Sequence, residues 1–146
     1  MIRLEHMSKS YGDDPAVIDV SAHIKQGEVV GFLGPNGAGK TTTMRVLTGF
    51  TPPTEGTAAI AGYDVVSRSL DARRHIGYLP ESVPLYLDMT VMDYLRYMGQ
   101  LRGMNRKWID ERLPVIIETV RLGEYQNALV GKLSKGYRQR VGIAQA

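Results

Sequence analysis

Gly34-Pro35-Asn36-Gly37-Ala38-Gly39-Lys40-Thr41-Thr42 is the stretch on which the reading of this chain turns. It fits the pattern G-x-x-x-x-G-K-[ST], a loop that wraps phosphate. Gly34, Gly37 and Gly39 carry no Cβ, so the backbone can turn tightly and aim successive N–H groups inward, around α- and β-phosphates. A helix starting near Gly39 adds the positive end of its dipole. The pattern places Lys40 within reach of the β- and γ-phosphates, where its charge stabilises the transferred group, and the Thr41 hydroxyl on Mg²⁺.

The flanking residues suit that loop. Glu28-Val29-Val30-Gly31-Phe32-Leu33 is a short apolar run, which predicts a strand buried on both faces. Thr41 to Thr48 predicts a helix, with Met44, Val46 and Leu47 apolar and Gly49 as its stop. Strand, glycine-rich loop and helix is the order the motif needs. By itself it leaves GTPases, kinases, helicases and transport ATPases open.

The whole chain narrows the field by exclusion. Its 146 residues are enough for one domain with a core, and 43% hydrophobic and 23% charged residues describe an ordinary globular composition. A net charge of +3, in short separated basic clusters, gives no case for nucleic acid as a partner. With no cysteine there is no disulfide frame and no thiolate metal site, and His6, His23 and His75 lack ligand spacing. The N-terminus turns polar within a few residues, unlike a signal peptide, and no apolar run approaches the ~20 residues of a membrane span. These features predict a cytoplasmic protein. The ending, Arg140-Val141-Gly142-Ile143-Ala144-Gln145-Ala146, reads as mid-helix without a stop signal, so a chain truncated at its C-terminal side is expected.

Along the chain, Ile2–His6 and Val17–Ile24 predict two strands joined by a loop from Lys9 to Pro15, with Ile18, Val20, Ala22 and Ile24 on one face. Thr57–Ala61 predicts a short strand, Gly62-Tyr63-Asp64 a turn, Ser69–His75 a helix and Ile76–Leu79 a buried strand ended by Pro80. From Pro84 the pattern is helical. Thr90 with Asp93 resembles a capping box ahead of Val91, Leu95, Met98 and Leu101. Ile109, Leu113, Ile116, Ile117 and Val120 mark a second helix, in which Pro114 predicts a kink. Gly131–Ser134 leads into a terminal helix.

Two further stretches make the resemblance specific. Leu133-Ser134-Lys135-Gly136-Tyr137-Arg138-Gln139-Arg140 resembles the ABC ATPase signature L-S-G-G-Q with its R-Q-R continuation; Lys135 stands at the first signature Gly and Tyr137 at the signature Gln. Ile76-Gly77-Tyr78-Leu79-Pro80-Glu81 resembles the strand into the Q-loop, with Glu81 in place of Gln. Order and spacing agree over essentially the whole chain. It is similar to ATP-binding subunits of ABC transporters, and the variants at Glu81 and Lys135-Gly136-Tyr137 resemble bacterial exporters of the multidrug and gliding-motility type.

That resemblance implies an α/β fold. It would comprise a P-loop NTPase core with an incomplete parallel sheet, an N-terminal antiparallel β subdomain and an inserted α-helical subdomain. The expected divisions are 1–83 for the β subdomain and core, 84–133 for the helices and 134–146 for the signature helix, all within one partial ATP-binding domain spanning 1–146. It also implies the cofactors ATP and Mg²⁺. Tyr11, in Lys9-Ser10-Tyr11-Gly12, would stack on adenine; Gly34, Pro35, Asn36, Gly37, Ala38, Gly39, Lys40, Thr41 and Thr42 would hold the phosphates. Thr41 and Glu81 would serve the metal. Ser134, Lys135, Gly136 and Tyr137 would meet the γ-phosphate on a second copy, making a head-to-tail dimer. The partners implied are that second copy and a transmembrane permease, which would hold the protein on the inner face of the membrane. The family's Walker B carboxylates, which include the general base, and its switch histidine lie beyond the signature, so this chain is not expected to hydrolyse ATP alone. A non-transport ABC ATPase, or an inert nucleotide-binding fragment, are the alternatives.

Overall fold

A computed structural model describes all 146 residues, which divide into two compact units, Met1–Ile76 and Gly77–Ala146. The first opens with a long hairpin, β1 (Ile2–Tyr11) and β2 (Asp14–Ile24). The turn is only Gly12-Asp13, with Gly12 at φ +61, the left-handed first position that tight hairpins require. The loop expected from Lys9 to Pro15 is therefore mostly strand, because a turn this short lets both strands pair to their ends. β3 (Glu55–Ile60) pairs antiparallel with β1, and β4 (Tyr63–Asp64) with β3, giving the sheet order β2-β1-β3-β4. Ala61 and Gly62, both at positive φ, join β3 to β4.

The hairpin register slips three times, the last between Lys9 and Ser10 beside the turn. Between Leu4 and Met7 the extra residue is on β1; between Met7 and Lys9 it is on β2. His6 and Asp19 sit in these bulges at φ +47 and +50. Their backbone N–H groups find hydroxyls on the facing strand: His6 donates to Ser21 Oγ at 2.9 Å and Asp19 to Ser8 Oγ at 3.0 Å. The second bulge explains why Ile18 leaves the expected inward face. A one-residue slip exchanges the two faces, so Val17 is buried instead and Ile18 is 72% exposed.

One face of the sheet carries α1 (Lys40–Leu47), whose Val46 is wholly buried among Leu4, Met7, Val17, Ala58 and Ile60. Each buried Val, Leu, Ile or Met side chain there contributes roughly 1.5–3 kcal/mol. α1 ends as the sequence predicts. Gly49, at φ +70, donates to Val46 O and Phe50 donates to Arg45 O, a Schellman closure that satisfies two orphan carbonyls. The short α2 (Ser69–Arg74) adds Ala72 to the same core.

Two expected strands are not formed. Residues 28–33 and 76–79 pair with no strand, the only sheet is antiparallel, and Val29 and Leu33 are 100% and 91% exposed. A strand buried on both faces exists only as a member of a ladder; without a neighbour its N–H and C=O groups turn to water.

The second unit is helical: α3 (Val91–Leu101), α4 (Arg106–Thr119) and α5 (Lys135–Gln145), with short 3₁₀ turns at Gly123–Tyr125 and Val130–Lys132. Thr90 caps α3, accepting from the Asp93 N–H at 3.1 Å; the Asp93 carboxylate takes its bond from the Thr90 hydroxyl at 2.6 Å and not from the backbone N–H that a full capping box uses. Asn105 caps α4 through the Trp108 N–H at 2.8 Å. The helix runs unbroken through Pro114, whose ring is on the exposed side. Val91, Tyr94, Leu95, Ile109, Leu113, Ile117, Leu122, Val130, Leu133 and Val141 form the core. Leu101, expected in the α3 stripe, is exposed, and Tyr94 takes the inward position. The Tyr94 hydroxyl donates to the side-chain carbonyl of Gln145, and burial pushes its pKa above the ordinary value. The division at 76/77 differs from the expected 83/84. Gly142 of α5 lies so close to Leu79 and Val83 that a Cβ would meet them at 2.7 and 2.8 Å, so this stretch packs with the helices.

Candidate functional site

The glycine-rich loop of the first unit is built against the hairpin. Gly39 has φ +81, and a Cβ there would lie 2.5 Å from the Ala16 carbonyl oxygen and 2.7 Å from Val17 Cγ2. Only glycine satisfies both the backbone angle and that approach. Gly37, at φ +84, has open space instead, and the Ala38 N–H closes a turn onto Pro35 O at 3.2 Å. Gly34 lies close under Ala38, with 3.1 Å between the two Cβ positions.

Thr43 fixes the start of α1. Its N–H and its hydroxyl both donate to Gly39 O, at 2.8 and 3.0 Å, and the side chain is buried. Thr43 is thus the first residue to close the helical ladder. The N–H groups of Lys40, Thr41 and Thr42 precede it, have no partner within the helix, and form its positive end, where an anion is favoured. Lys40 Nζ bends back over the loop and donates to Gly34 O and Pro35 O, each at 2.6 Å. The Thr41 side chain is exposed and Thr42 half-buried. An ammonium, three helical N–H groups and two glycines at positive φ fit an oligophosphate. One neutral hydroxyl fits Mg²⁺ that keeps several waters and takes its remaining oxygens from substrate phosphates.

Tyr11 ends β1 beside the turn and is 47% exposed. By strand alternation it shares a face with Lys9 and Met7, and Met7 lies in the core with Val46 of α1. The ring therefore stands on the face of the sheet that carries the phosphate loop. Lys9 Nζ is 5.3 Å from its centroid, an aromatic–cation contact. Sequence reasoning did not single out Lys9 or Thr43. Strand period for Lys9, two residues before Tyr11, and the i−4 hydroxyl habit for Thr43 would have pointed to them.

The remaining expected site residues belong to the second unit. Glu81 is exposed on a segment without regular structure. Ser134 is the N-cap of α5, its Oγ accepting from the Tyr137 N–H at 3.4 Å, and Ser134, Lys135 and Gly136 are all exposed. Tyr137 is half-buried: its ring lies on Tyr125, with centroids 4.2 Å apart, and Arg140 Cζ is 5.2 Å from its centre. The Tyr125 phenol is pushed above its ordinary pKa, first by its hydrogen bond with Tyr137. No cluster of three acidic or histidine side chains is present, and no helix is long and apolar enough to cross a membrane.

Known proteins share this arrangement. The family model described as ABC transporter matches residues 17–146. The uncharacterized ABC transporter ATP-binding protein YxlF of Bacillus subtilis is 41% identical over all 146 residues, which span 48% of that protein. The Nod factor export ATP-binding protein I of Cupriavidus pinatubonensis is 38% identical, again over the whole chain and 45% of the relative. The chain thus spans about half the length of these curated relatives. Among solved structures, the dimeric bacterial ABC transporter cassette MJ0796 matches with a TM-score of 0.85 and 26% identity, over 99% of this chain and 68% of that one. A phosphate loop seated on an antiparallel hairpin, a helical unit ending in a capped Ser134 helix, and a family match over nearly the full length agree: the chain belongs to the ABC transporter family, in its ATP-binding part.

Proposed function

We propose that the chain is the nucleotide-binding portion of an ABC-type ATPase that couples ATP binding and hydrolysis to export through a membrane permease. The observation that carries this reading is the loop from Gly34 to Thr42, with Lys40 Nζ held over it and a helix start facing outward. ATP with Mg²⁺ is the ligand proposed. Tyr11 takes the adenine, the loop and Lys40 the phosphates, Thr41 the metal, and Glu81 the metal or its water, reporting its state to the membrane partner. Ser134 and Gly136, with the cation of Lys135 beside them, would offer an α5 helix start to the γ-phosphate held by a second copy. The export role is supported by the Nod factor relative, and pairing of two copies by the dimeric cassette. Hydrolysis, substrate and permease are proposals for the whole protein.

Titration with fluorescent ATP tests the reading. Charge-assisted hydrogen bonds from Lys40 to phosphate are worth roughly 1.5–3 kcal/mol, so Lys40→Ala should weaken binding about tenfold or more. Equal affinity in the two proteins would remove the phosphate-loop assignment.

A further inference from the structure

Tyr137 stands in the first turn of α5, yet its ring does not stay with the exposed Ser134, Lys135 and Gly136. It packs on Tyr125 of the 3₁₀ turn with 4.2 Å between centroids and an interplanar angle of 39°. Arg140, three residues further along α5, covers the ring. Arg140 Nη1 also donates to Val120 O and Arg121 O, each at 3.4 Å, and Val120 is the C-cap of α4. Arg121 itself has φ +57, so the chain turns sharply at the point the guanidinium holds. Tyr125, Tyr137 and Arg140 therefore form one stack, which ties the start of α5 to the end of α4. The two rings are in direct contact and bury apolar area against each other, and the guanidinium over the Tyr137 ring adds an attraction of its own.

We infer that Tyr137 is a positioning residue: through Tyr125 and Arg140 it seats the first turn of α5 and so fixes where Ser134 and Gly136 point, without touching nucleotide itself. A glutamine at this position could reach a ligand by hydrogen bonding. The tyrosine instead spends its ring on its own unit and leaves recognition to its neighbours. The inference rests on the proposed role of Ser134 toward a second copy's phosphate.

The test uses the whole protein and three readouts: kcat for ATP, the ATP affinity of the isolated copy, and the thermal midpoint. Tyr137→Phe keeps the stack and should retain kcat within about threefold. Tyr137→Ala and Tyr137→Gln should each lower kcat about tenfold, with single-copy affinity unchanged, because the phosphate loop is not involved. Tyr125→Ala should do the same, and the Tyr125→Ala, Tyr137→Ala double variant should be no worse than either single one, since both remove the same stack. If Tyr137→Ala does not fold, Tyr137→Leu replaces it with the same expected loss. A Tyr137→Gln variant as active as wild type, or additive effects of the two tyrosines, would overturn the inference. Ser134→Glu, which puts an anion where a phosphate should sit, separates the two layers. Wild-type kcat in Ser134→Glu defeats the reading of the signature and the inference with it; loss in Ser134→Glu with a silent Tyr125→Ala defeats the inference alone.

Discussion

Lys40 Nζ donates to the carbonyl oxygen of Gly34 at 2.6 Å, across the full span of the loop it is expected to share with phosphate. A second bond of equal length goes to Pro35 O. In this geometry the ammonium braces the loop internally, and a phosphate bound there would replace two carbonyls with an anion. That exchange is favourable because a phosphate oxygen carries a formal negative charge where a carbonyl carries only a partial one, so the ammonium gains an ion pair.

The brace predicts an effect without ligand. In nucleotide-free Lys40→Ala the amides from Gly34 to Gly39 should exchange with solvent several-fold faster, while those at the C-terminal end of α1 should not change, because Gly49 and Phe50 close that end independently. Hydrogen exchange read by mass spectrometry distinguishes the two segments. Equal exchange of the loop in both proteins would mean that the lysine rests there without bracing it.

Adenine is expected on Tyr11, and the ring is half-exposed with Lys9 at 5.3 Å. Stacking on a base contributes about 1–3 kcal/mol and depends on the face of the ring, not on its hydroxyl. Tyr11→Ala should therefore weaken ATP by about tenfold, and Tyr11→Phe or Tyr11→Trp should leave it nearly unchanged. The measurement is the same nucleotide titration. A phenylalanine as poor as alanine would sink the stacking role.

Glu81 is expected to serve Mg²⁺ in the whole protein. A carboxylate is a charged hard-oxygen ligand and an amide is not. Glu81→Gln should raise the Mg²⁺ concentration needed for half-maximal activity, while nucleotide binding in chelator stays the same. An unaltered Mg²⁺ dependence would leave Glu81 a solvated loop residue.

What the sequence made legible was local. Gly39, Gly49, Thr90 and Ser134 announce helix ends because capping and left-handed turns are chemistry of a few adjacent residues, and each sits where expected. The phosphate loop is legible for the same reason. Residues 28–33 were misread because apolar composition signals a buried strand only when a neighbouring strand completes it. Ile18 was misplaced because a bulge depends on pairing between β1 and β2, which period-two reasoning along one strand cannot see. Tyr137 shows a third limit. Its place in the motif suggests a ligand contact, but its ring answers to Tyr125 and Arg140, which lie 12 residues before and three after it.

The loop after β4 should carry a pH-dependent share of stability. Asp64 Oδ1 accepts from the Ser67 N–H at 2.7 Å, the Ser67 hydroxyl at 2.8 Å and the Val66 N–H at 3.0 Å, closing the turn that leads to α2. These bonds, the Ser67 N–H first, hold its carboxyl below the ordinary value of 3.8 against a smaller opposing effect of burial. A group whose folded pKa is depressed adds stability above its unfolded pKa and loses it as pH falls through the folded value. Asp64→Ala should thus cost about 1–2 kcal/mol near neutral pH, the loss of hydrogen bonds to a charged acceptor at a half-buried turn. The gap between wild type and variant should narrow below about pH 4. Asp64→Asn keeps a carbonyl acceptor without the charge, so it should cost less at neutral pH and show no such narrowing relative to Asp64→Ala. Denaturant midpoints of the three proteins across an acid series provide the comparison. A wild-type-to-alanine gap that stays constant down to the lowest pH at which the protein folds would show that the ionised carboxylate contributes nothing to this turn.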